Sequence, residues 1–379
     1  MWIYENPDWP NFQWQQPQLL QPLTHLHHRQ GYLLGLMAGL GLNFSQEANL
    51  TTLTEETVKS WAIEGHPLDP TAVKSSLARR LGLPSPDPPR PDRSIEAITA
   101  LILDTTQQTD RPLTPQRLWS WHAALFPTGY SGLRPIQVGQ WRTDDHGPMQ
   151  VVSGPLGRET LHYQAPEASH LPAAMTQFLH WFNHPPLDLD PILQAGIAHL
   201  WFITLHPFED GNGRIARAIT ELALARGDGS SLRFYSLSAQ IEADRKQYYL
   251  VLERQQRSSL EITPWLRWFL DCLDRAFDRA ETVATRIRHK AALWQKLAAY
   301  PLNDRQRKII NRLLEDFQGK LTSSKYAKLA KCSTDTALRD IQALMHYGAL
   351  IQNPAQGRST SYRLPTPGEL EGQDLQGRA

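Results

Sequence analysis

Leucines recur at roughly helical spacing from Leu19 to Leu42, so the chain opens on helices that continue to about Leu83. Thr54 followed by Glu55 and Glu56 predicts a helix start, and Gly65 with Pro67 just beyond predicts its stop. Asp69 and Pro70 then offer an N-cap and a first-turn proline for a helix reaching about Arg80. The stretch 84–91 is too rich in proline for a helix or a paired strand and reads as a stiff linker. Helical periodicity resumes at Ser94 and holds to about Arg288, as at Ile95, Ile98 and Ile102 and again over 260–277. It is interrupted over 140–164, where Gly147-Pro148 and Gly154-Pro155 are interleaved with Val151, Val152, Leu161 and Tyr163. That composition predicts an irregular β-hairpin. Beyond Tyr300, helical patterns at 304–315, 323–331 and 334–346 precede Gly348. Two strand-like runs, 349–352 and 361–364, surround a turn at 353–357. Three helices and a hairpin predict a winged helix-turn-helix, with a frayed tail from Thr366.

Composition narrows the class. The 379 residues exceed one average domain, and 41% hydrophobic residues supply a sizeable core. Charged residues at 20% with a net charge of +1 argue against disorder and against a chain coated in base for nucleic acid. A local patch exists nonetheless: residues 300–365 hold eleven Lys or Arg against five Asp or Glu, which is +6 and leaves about −5 elsewhere. Cys272 and Cys332 could form at most one bridge and lack zinc-type pair spacing, so a reducing, cytoplasmic compartment is expected. The opening Met1-Trp2-Ile3-Tyr4-Glu5 has no basic segment followed by an apolar one, so no secretory signal is expected. Apolar stretches such as 33–42 are too short and too rich in Gly to span a bilayer.

Chemistry concentrates in His206-Pro207-Phe208-Glu209-Asp210-Gly211-Asn212-Gly213-Arg214-Ile215-Ala216-Arg217, between a buried helix over 192–203 and an apolar stripe at Ile215, Ala218, Ile219 and Leu222. In such a helix–loop–helix, Gly211 and Gly213 let the chain turn tightly and bare backbone N–H groups at a helix N-terminus, an anion cradle. Arg214 and Arg217 can lean toward that anion, and Asp210 offers a hard oxygen to Mg²⁺. His206 can take and give a proton near neutrality. A plain Gly-rich turn with solvated arginines would not need this joint set, so the segment implies transfer of a phosphate-containing group. No Gly-x-x-x-x-Gly-Lys-Ser/Thr occurs, which excludes a P-loop.

The segment resembles the Fic (Fido) family signature, His-x-Phe-x-Asp/Glu-Gly-Asn-Gly-Arg-x-x-Arg, without a departure. Gly139-Gln140-Trp141-Arg142 looks like that family's approach to its flap hairpin, and Arg245-Lys246-Gln247-Tyr248-Tyr249-Leu250-Val251-Leu252-Glu253 like its adenine-side helix. The opening Trp2-Ile3-Tyr4-Glu5-Asn6-Pro7-Asp8-Trp9-Pro10 and the winged-helix end resemble one long subgroup of the family. The resemblance implies a mainly α fold: an N-terminal helical segment (1–83), a linker (84–93), a helical core with a small β-flap (94–290), a winged helix (300–365) and a flexible tail (366–379). It implies a protein adenylyltransferase, moving AMP from ATP to a Ser, Thr or Tyr hydroxyl of a target protein. His206 would be the base and Asp210 the ligand of Mg²⁺, with Mn²⁺ as its substitute. Gly211, Asn212, Gly213, Arg214, Ile215, Ala216 and Arg217 would bind the nucleotide's phosphates. Tyr248, Tyr249 and Gln256 would lie on its adenine side, and Thr160, Leu161, His162 and Tyr163 would dock the target at the flap by strand-like pairing.

Ser60-Trp61-Ala62-Ile63-Glu64-Gly65 is similar to the family's inhibitory pattern, Ser/Thr-x-x-x-Glu-Gly/Asn. Ser60 and Glu64 are one helical turn apart, so Glu64 could pair with Arg217 and deny it to the γ-phosphate. Two rivals stand beside autoinhibited transfer. One is hydrolytic removal of AMP at the same site with Glu64 handling water; the other is a nucleotide-sensing DNA-binding regulator. The predicted 334–346 helix holds one Arg against two Asp, which disfavours DNA. Partners expected are ATP, a protein target, the chain itself as a substrate, and a second copy as a homo-oligomer, with no membrane. Other groups read as ordinary: His25, His27 and His28 as a half-exposed helix face without a nearby acid, His199 as a packed residue, and Trp119, Trp121, Trp265 and Trp268 as core.

Overall fold

The computed structural model describes residues 1–84, 92–145, 147–155, 157–314, 317–354 and 360–370. The chain divides into two units, Met1–Glu281 and Thr282–Ala379. The first holds α1 (Gln16–Gly39), α2 (Leu42–Ile63), α3 (Pro70–Arg80), α4 (Arg93–Gln107) and α5 (Pro115–Leu125). Short strands β1 (Tyr130–Ser131), β2 (Arg134–Pro135), β3 (Gln150–Ser153) and β4 (Thr160–Gln164) follow, then α6 (Leu171–Asn183), α7 (Pro191–Leu205), α8 (Asn212–Asp228), α9 (Leu237–Ala243) and α10 (Arg245–Gln256). Helix α11 (Thr263–Leu297) begins here and ends in the second unit.

Acid or hydroxyl caps start many of these helices, as predicted for Asp69. Asp69 accepts from Thr71 N–H, Thr114 from Arg117 N–H and Asp190 from Ile192 N–H, each ahead of a first-turn proline. The start predicted at Thr54 is wrong. Helix α2 begins twelve residues earlier, at Leu42, and the Thr54 hydroxyl turns back to donate to Leu50 O at 2.7 Å. A threonine that bonds its own preceding turn mimics a cap in sequence without being one. The stop was read correctly: Gly65 sits at φ +80°, and His66 N–H donates to Trp61 O at 3.1 Å, closing the end of α2.

Helix α7 forms the centre, with every residue from Ile192 to Leu205 buried. Helix α11 packs against it so closely that a Cβ on Gly196 would lie 3.0 Å from the Phe269 ring, and Trp265 Nε1 donates to Gly196 O at 2.8 Å. The predicted hairpin is β3 paired antiparallel with β4, with a register shift at Val151/Val152. Trp121, Trp265 and Trp268 are buried, whereas Trp119 is only partly so.

The second unit holds α12 (Asp304–Leu314), α13 (Ser323–Ala330) and α14 (Thr334–His346) around Ile309, Ile310, Tyr326, Ile341 and Leu344. Strands β5 (Ile351–Gln352) and β6 (Tyr362–Arg363) pair antiparallel. Residues 366–370, expected as the start of a tail, are tied down: Glu369 pairs with Arg363 at 2.7 Å and Leu370 is buried. The proline-rich stretch 85–91, the turn residues 355–359 and the end 371–379 lie outside the described residues. Among the described residues no helix is long and apolar enough to cross a membrane.

Candidate active site

Helix α7 ends on His206 itself, at φ +50°, and Gly211 at φ +81° caps the start of α8. The loop between them is pinned from within. Asn212 Oδ1 accepts Phe208 N–H at 2.9 Å and its Nδ2 donates to Phe208 O at 2.7 Å, so this side chain holds the loop together and only its backbone is left to face a ligand. Phe208 is fully buried, stacked on the His122 ring at 4.2 Å.

His206 lies against Ile203 O, 3.2 Å from Nδ1. A carbonyl only accepts, so Nδ1 carries the proton and the Nε2 lone pair is left to take one. Burial pushes the imidazole down to about 4, which keeps it neutral and receptive at pH 7. Asp210 is 40% exposed; it accepts from Gly211 N–H at 2.5 Å and from the Ser131 hydroxyl of β1. Arg214 is buried, its guanidinium 4.9 Å from the Phe126 ring centre and 3.6 Å from Asp210. Arg217 is also buried and is held from α2: Nε donates to Ser60 Oγ at 2.9 Å, Nη2 to Ser60 O at 2.8 Å and to Glu64 Oε1 at 2.9 Å.

Gly213 was expected to help the chain turn. It lies within α8 without a positive φ, and its missing side chain instead makes room, because a Cβ there would collide with the Glu64 carboxylate. Ile215 and Ala216 point into the core at 0% exposure, so their side chains reach no ligand.

A cavity of about 560 Å³ joins these groups. It is lined by His206, Asp210 and Gly211 to Gly213, by Glu64, by residues of the β3–β4 flap and by residues of α10. Tyr249, 41% exposed, lines it from α10. Tyr248 also borders the cavity but is buried, its hydroxyl 2.9 Å from His199 Nε2, so stacking on a base falls to Tyr249. Gln256 is buried on the same helix, 3.5 Å from Thr204 Oγ1. On the flap, Thr160 and Leu161 are exposed, His162 is bonded to Ser153 and Glu253, and Tyr163 is buried with its hydroxyl donating to Thr204 O at 2.5 Å. His199 is packed as expected, bonded to Thr220 and Tyr248, and burial lowers it to about 3.

Two residues gain roles here that the sequence did not assign: Arg142, read only as part of the approach to the flap, and His122, which was not singled out. Arg142, buried, donates from Nε to His206 O and from its backbone to Pro207 O, both at 2.9 Å, and so braces the left-handed turn at the base. His122 accepts Gly139 N–H on Nδ1 and donates from Nε2 to Asp210 O, both at 3.2 Å. Burial lowers it to about 4, and the neutral ring joins α5 to the loop. Neither role has a local signal, since each comes from a partner far along the chain. The same holds for two histidines expected to lack acids: His27 meets Asp190 at 2.6 Å and His25 meets Asp274 at 3.3 Å. Among the described residues no group of three or more His, Cys, Asp or Glu could hold a metal by itself.

Residues 112–224 match the model of the Fic/DOC family. The chain carries a Fic/DOC domain. Residues 2–83, which bring Ser60 to Arg217, match a second family described as a domain of unknown function (DUF4172). The chain is similar to proteins named protein adenylyltransferase Fic: 31% identical over 145 residues to that of Drosophila mojavensis (38% of this chain, 25% of the relative), and 28% over 152 residues to that of Culex quinquefasciatus (39% and 29%). The matched region thus spans about a quarter of those relatives' length. A Fic family protein from Desulfovibrio desulfuricans G20 has the same fold, with TM-score 0.52, 19% identity, and 91% of this chain and 96% of that one covered. So does a Fic domain containing signaling protein from Bacteroides thetaiotaomicron VPI-5482, with TM-score 0.50, 22% identity, and 68% and 96% covered.

Proposed function

We propose that the protein transfers AMP from ATP to a hydroxyl side chain of a target protein, and that Glu64 restrains it by occupying Arg217. One observation carries this reading: a neutral imidazole with a free Nε2, an exposed carboxylate and a helix N-terminus share one cavity, while the arginine one turn further on is held by α2. The start of α8 presents backbone N–H groups to the phosphates. His206 Nε2 accepts the proton of the target hydroxyl as its oxygen attacks the α-phosphorus and pyrophosphate leaves. Arg142 keeps the imidazole's backbone in place for this. Asp210 suits Mg²⁺ or Mn²⁺, because its carboxylate is 40% exposed on the cavity beside the start of α8 and such ions take one or two carboxylates plus substrate phosphates. The ion would supply charge neutralisation of the phosphates when bound.

Glu64 favours a second reaction as well: its carboxylate is 28% exposed and lines the cavity, where it could position water for removal of AMP. We read the second unit as a winged helix, on its three helices and strand pair, with a docking role. Incubating native and Glu64→Gly protein with labelled ATP and a cell lysate tests the main reading. Label on lysate proteins that rises in the variant supports it; no label from either sinks it. A pre-modified target cleared by native protein but not by Glu64→Gly would favour removal.

A further inference from the structure

The flap carries a second proton-transfer arrangement, apart from His206. Ser153 is exposed at the end of β3, and its Oγ lies 2.6 Å from Nε2 of His162 on β4. On the other side of that ring, Nδ1 lies 2.9 Å from Oε2 of Glu253 on α10. An ionised carboxylate only accepts, so in the neutral ring the Nδ1 proton is directed at Glu253 and the Nε2 lone pair faces the Ser153 hydroxyl. A hydroxyl, an imidazole that accepts from it and a carboxylate that fixes the tautomer form the arrangement by which a serine is activated. The strand register explains how the three meet. Val151 pairs with Tyr163 and Val152 with Leu161, so His162 is the bulged residue between them, and bulges re-aim side chains. The flap is held there from the end of α10, where the capping residue Arg257 donates to Leu161 O at 2.7 Å and His162 O at 3.1 Å. Ser153, His162 and Glu253 all border the cavity that His206, Asp210 and Gly211 line.

We propose that Ser153 is an acceptor of self-modification, with His162 as its base and Glu253 as the positioning residue. This rests on the AMP-transfer reading above. The Ser153 Oγ–phosphorus bond forms as the bond from the α-phosphorus of ATP to the oxygen bridging to the β-phosphate breaks. The hydroxyl proton passes to His162 Nε2 and on to solvent, and pyrophosphate leaves.

The test incubates the full chain with ATP and Mg²⁺, maps AMP by peptide mass spectrometry, and scores labelled lysate proteins in parallel. AMP is expected on Ser153 of the native protein. His162→Ala should slow its appearance by about 10²–10⁴-fold, and added imidazole should restore part of the rate. Glu253→Ala should lower the saturating rate, by less than the loss of His162, with half-saturating ATP unchanged. Glu253→Gln, which still accepts from Nδ1, should recover most of that loss. Self-labelling mapped elsewhere with Ser153 bare, or undiminished in Ser153→Ala, overturns the site. Label on Ser153 that requires His206 and is indifferent to His162 overturns the base. A protein that labels the lysate and leaves Ser153 bare refutes this inference alone, whereas no label on either refutes the transfer reading with it.

Discussion

Glu56 and Glu64 stand two helical turns apart along α2 and its cap, and the two carboxylates live in opposite surroundings. Glu56 is 3% exposed and saturated: Ser236 Oγ donates to it at 2.7 Å, Ser238 N–H at 3.0 Å, and the Ser238 hydroxyl joins them. Burial, with the like charge of Glu221 on α8, raises it to about 7. Glu64 is 28% exposed on the cavity and is bonded to Arg217 at 2.9 Å. Burial with several donors makes an anchor; partial exposure with a single guanidinium partner makes a contact that a competing phosphate can displace. A charge-assisted hydrogen bond contributes roughly 1.5–3 kcal/mol, small enough to be offset by nucleotide phosphates yet large enough to hold the resting state.

The comparison breaks first if the activity freed at Glu64 does not come from this cavity. In a Glu64→Gly background, His206→Ala should lower target labelling by about 10²–10⁴-fold, because the attacking hydroxyl keeps its proton. Labelling that survives would remove His206 from the mechanism.

The next effect is the release itself. Glu64→Gly should raise labelling by about tenfold or more, equivalent to about 1.4 kcal/mol. Adding Arg217→Ala should abolish the gain, since Arg217 is its beneficiary. A gain that persists in the double variant would mean that Glu64 acts on something else.

Glu56 should behave in the reverse way. Glu56→Ala leaves buried serine donors without an acceptor and should cost about 1–3 kcal/mol of stability in denaturant unfolding. A variant as stable as the native protein would show that the anchor is no anchor.

The smallest expected effect is a pH slope. A carboxyl raised from the usual range to about 7 binds more protons folded than unfolded. Its contribution is therefore complete below about pH 4.3 and lost as pH rises toward 7. The stability difference between native and Glu56→Gln should fall over that interval, and a flat difference would contradict the raised value.

The residues from His206 to Arg217 were legible because one helix–loop–helix turn sets their distances, and twelve consecutive residues cannot stray far from one another. Even there part of the arrangement was hidden: the Asn212 side chain holds the loop from inside, and Gly213 lies within α8 against the Glu64 carboxylate rather than at the bend. The stop of α2 was legible in Gly65, whereas its start was hidden behind Thr54, whose side chain satisfies its own helix.

By itself, then, the sequence determined what local chain geometry can enforce. It set the cap residues of α3, α5 and α7, the turn that places His206 beside the start of α8, and the broken hairpin between α5 and α6. Only the tertiary structure decided which partner each face meets. Glu64 and Arg217 are 153 residues apart, Arg142 and His206 64 apart, and Glu253 and His162 91 apart. Periodicity records that a face will be buried, but the identity of what covers it depends on helix packing, to which distant residues contribute without any local pattern to announce them.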